Sequence, residues 1–232
     1  MKTAAIIVAA GSGKRFGGSL PKQYNKLNGV EILARAAMIF EKSRDINMIL
    51  LVVSPKYREF AEKKIVKKYG FKKTAGVIDG GEQRYDSVYN ALKFLKNAAP
   101  DYVLIHDGAR PYFKPGLIAE VLKELKKYPA AIPVKKVPLT VKTVKGGFIG
   151  KTLDRNELRT AETPQGFRYK ELLKIYDTTD LNTLKPTDDA RLFETRGKKV
   201  KAVEYEGINI KVTTRQDLEM LKSLPYFKKF KG

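Results

Sequence analysis

The 232 residues include no cysteine, no tryptophan and a single histidine, His106. Without cysteine there can be no disulfide, no thiolate nucleophile and no cysteine-ligated metal, a composition that fits a reducing compartment. No apolar run approaches the roughly 20 residues needed to cross a bilayer. The opening Lys2 and Ala4 to Ala10 imitate a signal peptide, but the run is short and GSGKRF follows at once, so it is read as a first strand. A soluble, cytoplasmic chain with no membrane partner is expected.

Acidic residues are also scarce, 25 against 46 basic ones, for a formal charge of +21. Such a balance invites a nucleic-acid reading, because neutralised phosphates release counterions. The distribution argues against it. The lysines fall on many putative helix faces (Lys63, Lys64, Lys67 and Lys68; Lys123, Lys126 and Lys127; Lys228, Lys229 and Lys231) without the aromatic spacing of a stacking platform. They are read as solvated surface whose summed field draws in small anions.

Strand and helix signals alternate through the first half, which predicts an α/β fold with a mostly parallel sheet. Strands are expected at Ala4–Ala10, Met48–Val53, Gly76–Ile78, Tyr102–His106 and Ala130–Val134, with helices at Glu31–Lys42, Lys56–Tyr69, Tyr85–Lys96 and Pro115–Tyr128. From Lys135 to Thr160 short β-prone pieces around Gly146 and Gly147 predict a hairpin arm. An arm with little core of its own packs on something else, and a second copy is the simplest candidate. Beyond it, helices are expected at Tyr169–Tyr176, Asp188–Arg196 and Thr214–Leu221, and strands at Lys199–Tyr205 and Ile208–Val212. One domain, 1–232, with the arm at 135–160, is the economical organisation.

In such sheets ligands bind beyond the carboxyl ends of strands. Three distinctive loops fall there: GSGKRFGGSLPK, DGGEQR and HDGARP. The first carries Lys14, Arg15 and Lys22 on a glycine-rich backbone, a combination that suits a triphosphate. It is not a dinucleotide fingerprint, since Phe16 stands where the third glycine belongs, and this counts against a nicotinamide oxidoreductase. Nor is it a P-loop, since Ser19 stands where the lysine belongs.

Reading on, DGGEQRYDSV (Asp79–Val88), HDGARP (His106–Pro111), LDRN (Leu153–Asn156), TPQGF (Thr163–Phe167), TDDA (Thr187–Ala190) and NIKVT (Asn209–Thr213) follow in order. With the first loop, this series resembles the 2-C-methyl-D-erythritol 4-phosphate cytidylyltransferase family over nearly the whole chain, and ribitol-5-phosphate cytidylyltransferase is a close relative sharing most of it. The resemblance implies a Rossmann-like three-layer sandwich of the nucleotide-diphospho-sugar transferase type. It implies transfer of CMP from CTP to a polyol phosphate, with release of pyrophosphate, in the non-mevalonate route to isoprenoid precursors.

Carried onto this chain, the resemblance implies that Ala9, Ala10, Gly11, Gly13, Arg15 and Lys22 hold the CTP phosphates, and that Gly81, Glu82 and Ser87 frame the cytosine. Asp107, Gly108 and Arg110 would lie between nucleotide and acceptor. Thr187 and Lys211 would hold the acceptor phosphate, with Thr140 and Arg155 reaching in from the arm of a homodimeric partner. Arg15, Lys22 and Lys211 are the expected catalytic groups, and Mg²⁺ is expected on the CTP phosphates with Asp107 as a possible protein ligand. Gly108 replaces the family's usual alanine, a change that a backbone contact should tolerate. Asp189 stands where many relatives have Glu and is assigned no role.

The chemistry accounts for these residue types. A phosphate monoester, with a second pKa near 6, is largely a dianion at neutral pH and attacks without a general base. What must be supplied is relief of anion–anion repulsion and stabilisation of charge on the leaving pyrophosphate. Cations do that; a nucleophile–histidine pair is not needed.

Overall fold

The computed structural model describes residues 1–228 apart from Lys14 and Ser19, with Tyr226 and Lys228 described by backbone only; the readings made above for Lys14 and for the side chains of Lys228, Lys229 and Lys231 lie outside it. Strand β1 (Thr3–Ala9) is followed by the short hairpin of β2 (Lys26–Leu27) and β3 (Val30–Glu31), helix α1 (Ile32–Lys42) and β4 (Met48–Val53). Next comes α2 (Arg58–Phe60), entered through a 3-10 turn at Pro55–Tyr57 and continued as a π-helix over Ala61–Lys67, in place of the single α-helix expected at Lys56–Tyr69. Then follow β5 (Thr74–Asp79), α3 (Arg84–Phe94), β6 (Tyr102–Asp107), α4 (Gly116–Leu125) and β7 (Ala130–Lys136).

Strands β1, β4, β5 and β6 are mutually parallel, with β1 at the centre between β4 and β6. The side chains of β1, β4 and β6 are buried on both faces, which is why they read as unbroken apolar runs, while β5 at the edge is buried only at Val77. Ala5 and Ile7 join a core with Leu33, Phe40, Leu117 and Ile118 from α1 and α4, while Ala4 and Ile6 join Val88 and Leu92 of α3 on the opposite face. The result is the expected three-layer sandwich.

The second half departs from simple alternation. The arm strands β8 (Val141–Lys145) and β9 (Phe148–Leu153) pair only with each other, turning through Gly146 and Gly147, both at positive φ (+57° and +83°) as a two-residue hairpin turn requires. The ends of the predicted arm belong to the main sheet instead: β10 (Arg159–Ala161) pairs antiparallel with β7, placing Thr160 opposite Lys135. Strand β11 (Gln165–Arg168) inserts antiparallel between β6 and β7. Helices α5 (Tyr169–Asp177), α6 (Leu181–Leu184) and α7 (Ala190–Glu194) lead to β12 (Val200–Glu204), parallel to β7, and α8 (Arg215–Ser223) closes on a small cluster of Phe16, Leu27, Val212 and Leu218. The strand expected at Ile208–Val212 does not form. That segment spends its backbone on the site: the carbonyl of Asn209 accepts from Arg110 Nη1 at 2.6 Å, and the amide of Val212 donates to the carbonyl of Ala109 at 2.9 Å.

Candidate active site

All three distinctive loops emerge at the carboxyl ends of β1, β5 and β6. The loop after β1 is shaped by Gln23, whose side-chain amide donates to the carbonyls of Ala9 at 2.6 Å and Gly11 at 3.0 Å. Phe16, the residue that disqualified the dinucleotide fingerprint, is buried in the α8 cluster and anchors the loop's far side. The side chain of Lys22 makes no hydrogen bond or ion pair among the described residues, although its carbonyl accepts from the amide of Asn25. Burial lowers its pKa, repulsion from Lys211 and Arg15 adds to this, and Asp107 and Asp217 oppose. A half-buried ammonium among like charges is a site that favours an anion.

The loop after β5 passes close beneath the first. A methyl group on Gly80 would lie 2.4 Å from Ala10 Cβ and 2.7 Å from Ser87 Oγ, so only glycine permits the contact. Ser87 Oγ accepts from the amide of Gly81 at 3.1 Å and donates to the carbonyl of Gln83 at 3.2 Å, bracing the loop as α3 begins. Gln83 and Asp86 close that helix with a capping box.

Asp107, at the end of β6, gathers the cations. Its Oδ1 faces Arg84 Nε at 3.4 Å, and its Oδ2 faces Lys211 Nζ at 2.9 Å and Arg110 Nε at 3.5 Å. Burial works to raise its pKa, but Arg84, Lys211 and Arg110 outweigh it and hold the carboxyl well below the usual carboxylate range. His106 is fully buried beside Phe40 and Phe113. Its Nε2 meets the carbonyl of Arg110 at 3.1 Å and so carries the proton, while Nδ1 accepts from the Thr163 hydroxyl at 2.9 Å. Asn209 ties in by donating to the carbonyl of Thr163 at 2.7 Å. Burial pushes the imidazole pKa down to about 4, so this histidine is a neutral brace for the loop.

Ala9, Ala10, Gly11, Lys22, Gly81, Glu82, Ser87, Asp107 and Lys211 all line one cavity of about 360 Å³. Gly13 and Arg15 border an adjoining space of about 300 Å³ that shares Gly11 and Lys22 with the first. Gly108 lies behind the wall, where a methyl would come within 2.9 Å of Leu33 Cδ1 and 3.0 Å of Ala9 Cβ, so here the bare backbone packs more closely than an alanine could without adjustment. Arg110 reaches the site through Asp107. Thr187 opens onto a different cavity, of about 390 Å³, on the other side of Gln83 and Arg84. Thr140 and Arg155 do not line these spaces; Arg155 Nη1 donates to the carbonyl of Pro138 on the arm itself, at 2.9 Å.

The donor set does not fit a metal held by the protein. Both oxygens of Asp107 are engaged by cations, and among the described residues no group of three His, Asp or Glu could hold an ion. Any Mg²⁺ would therefore rest mainly on the CTP phosphates, with Asp107 contributing only if one of these cations gives way. Sequence reasoning also missed Gln23, Arg84, Thr163 and Asn209 as site builders. Arg84, Thr163 and Asn209 stood inside motifs already singled out, with bonding partners in distant parts of the chain, and Gln23 directly follows the first loop.

No helix among the described residues is long and apolar enough to cross a membrane. The family model for 2-C-methyl-D-erythritol 4-phosphate cytidylyltransferase matches residues 3–224. A curated protein of that name from Bacillus mycoides is 38% identical, with 97% of this chain and 98% of that one covered. A protein named bifunctional enzyme IspD/IspF from Rhodospirillum rubrum is 42% identical over 96% of this chain, which spans only 57% of that longer protein. Among solved structures, 4-diphosphocytidyl-2C-methyl-D-erythritol synthase from Anaerococcus prevotii superimposes with a TM-score of 0.81 at 30% identity, covering 98% of this chain and 96% of that one.

Proposed function

We propose a working arrangement for this site from one premise: the chain belongs to the 2-C-methyl-D-erythritol 4-phosphate cytidylyltransferase family. It is a nucleotidyltransferase that moves CMP from CTP to 2-C-methyl-D-erythritol 4-phosphate, giving the cytidine diphosphate ester and pyrophosphate for isoprenoid biosynthesis. The observation that carries the arrangement is the convergence of Lys22, Lys211 and Asp107 on one cavity floored by the glycine loop.

The cytosine sits against Gly81, Glu82 and Ser87, with the backbone at Gly108 behind it. The triphosphate follows the backbone from Ala9 through Gly13 towards Lys22 and Arg15. The acceptor phosphate approaches from the Asp107, Arg110 and Lys211 side, with Thr187 beyond Arg84. One of its oxygens forms a bond to the α-phosphorus, the bond from that phosphorus to the bridging oxygen of the β-phosphate breaks, and the electron pair leaves with pyrophosphate. No proton has to be taken from the attacking oxygen. Lys22 and Arg15 offset the negative charge that accumulates, and Lys211 holds the attacker. A divalent cation such as Mg²⁺, carried on the phosphate oxygens, would add the same kind of charge neutralisation.

Thr140 and Arg155 complete the acceptor site of a second copy in a homodimer joined through the arm. Phe148, on the arm, is 80% exposed, and Leu139, Val144 and Ile149 are exposed beside it, an apolar surface that a partner would cover. The cytoplasm is the compartment where CTP is made available, and the basic surface draws in these anions without binding nucleic acid.

The test is pyrophosphate release from CTP with 2-C-methyl-D-erythritol 4-phosphate and with ribitol 5-phosphate. A preference of about tenfold or more in kcat/KM for the branched acceptor is expected. The reverse preference would move the chain to the ribitol phosphate activity.

A further inference from the structure

Asp189 lines none of the cavities described and is 1% exposed. It occupies the N-cap position of α7 yet its side chain makes no capping bond. Its carboxylate is spent elsewhere: Oδ1 accepts from the Tyr176 hydroxyl at 2.7 Å and Oδ2 from Arg84 Nη1 at 2.7 Å, while its own amide donates to Gln165 Oε1 at 3.2 Å. Arg84 turns its Nε to Asp107 Oδ1 at the longer distance of 3.4 Å. Charges thus alternate along a row, Asp189, Arg84, Asp107 and Lys211, running from the core to the cavity.

A guanidinium beside one carboxylate closes on it with two parallel hydrogen bonds. Arg84 does not do so with Asp107: the shorter bond of its Nη1 to Asp189, at 2.7 Å, holds the guanidinium where only Nε reaches Asp107, at 3.4 Å. Asp107 Oδ2 is consequently left for Lys211 at 2.9 Å. We propose that Asp189 is a positioning residue for the reaction: by restraining Arg84 it keeps Asp107 available to Lys211, and so fixes the ammonium that receives the acceptor phosphate. This deepens the cytidylyltransferase reading and rests on it for the identity of the anion, though not for the geometry.

The test begins without substrate. Limited acetylation followed by peptide mass spectrometry reads the reactivity of Lys211, whose side chain is 40% exposed, against the remote exposed Lys123. In Asp189→Asn, which keeps the shape and the Tyr176 contact, Arg84 is freed to close on Asp107. Lys211 labelling relative to Lys123 should rise about threefold or more as its ion pair is lost, and Asp189→Glu should return it towards the parent value. In turnover, Asp189→Asn should raise the acceptor KM about tenfold while the CTP KM stays within about threefold. An unchanged labelling ratio, or equal changes in both KM values, overturns the proposal. Should Asp189→Asn fail to fold, Asp189→Ser removes the same charge from Arg84 with a smaller side chain and is read by the same outcomes. If the parent enzyme releases no pyrophosphate from CTP and either acceptor, it is the functional reading that falls, and the labelling result still decides the role of Asp189.

Discussion

Gln23 Nε2 lies 2.6 Å from the carbonyl oxygen of Ala9, so the residue after Lys22 fixes the exit of the central strand. The same amide reaches the carbonyl of Gly11, which makes one side chain responsible for the curvature of the glycine loop after β1. Gln23→Leu would leave these carbonyls without their donor. A loss of roughly 1–3 kcal/mol in stability is expected from the orphaned groups, measured by urea unfolding, together with weaker CTP binding by calorimetry. Unaltered CTP affinity in a folded variant would show that the loop holds its form without the bond.

The Lys22 ammonium has no hydrogen bond or ion pair among the described residues, and in the proposed arrangement it meets the leaving pyrophosphate. Lys22→Ala should lower kcat by about 100-fold or more, the scale of losing one donor to a developing oxyanion. Near-normal turnover would remove it from the mechanism.

Gly80 tests the close approach of two loops. Its alanine variant must push Ala10 or Ser87 aside, since the nearest carbon is 2.4 Å from where the new methyl would stand. Overpacking of this kind costs about 1–3 kcal/mol, so the CTP KM should rise by roughly tenfold or more, while the acceptor KM moves less.

His106 provides a pH signature. Its pKa is lowered by burial from 6.5 to about 4, so between those values the unfolded chain binds a proton that the folded chain refuses. Stability is therefore fully present above pH 6.5 and is lost as pH falls towards 4, by roughly 2 kcal/mol between pH 7 and pH 5. Unfolding curves at the two pH values check this against His106→Asn, in which the slope over that window should flatten.

An acceptor site shared between two copies, as proposed, predicts complementation. Mixing Lys22→Ala with Arg155→Ala, followed by subunit exchange, should restore about a quarter of parental activity, because one site in each mixed dimer is then intact. No recovery, in a preparation shown by sedimentation to have exchanged, would place both residues in the same copy's site or remove Arg155 from it.

The parallel half of the fold was legible because β1, β4 and β6 are buried on both faces and leave unbroken apolar runs. Strand β11 was not, because its backbone runs so close beneath α4 that a methyl on Gly166 would lie 2.5 Å from Val121 Cγ1. Glycine there interrupts the apolar pattern that announces a strand. Ile208, Ile210 and Val212 alternate as a strand would, yet the neighbouring carbonyl of Asn209 is taken by Arg110. In the site, the glycine loops and Lys22 could be read locally. The role of Arg84 could not, since its partner Asp189 lies 105 residues away and no local pattern pairs them.

The apolar layers on the two faces of the sheet reach Ala9, Val53 and Ile105, and Tyr24 and Phe113 carry one of them beneath the loops beyond, while the Lys185–Thr187 turn stands outside both. A graft that replaces the Lys185–Asp188 turn should produce a protein that melts where the parent does and differs only in which sugar alcohol it accepts.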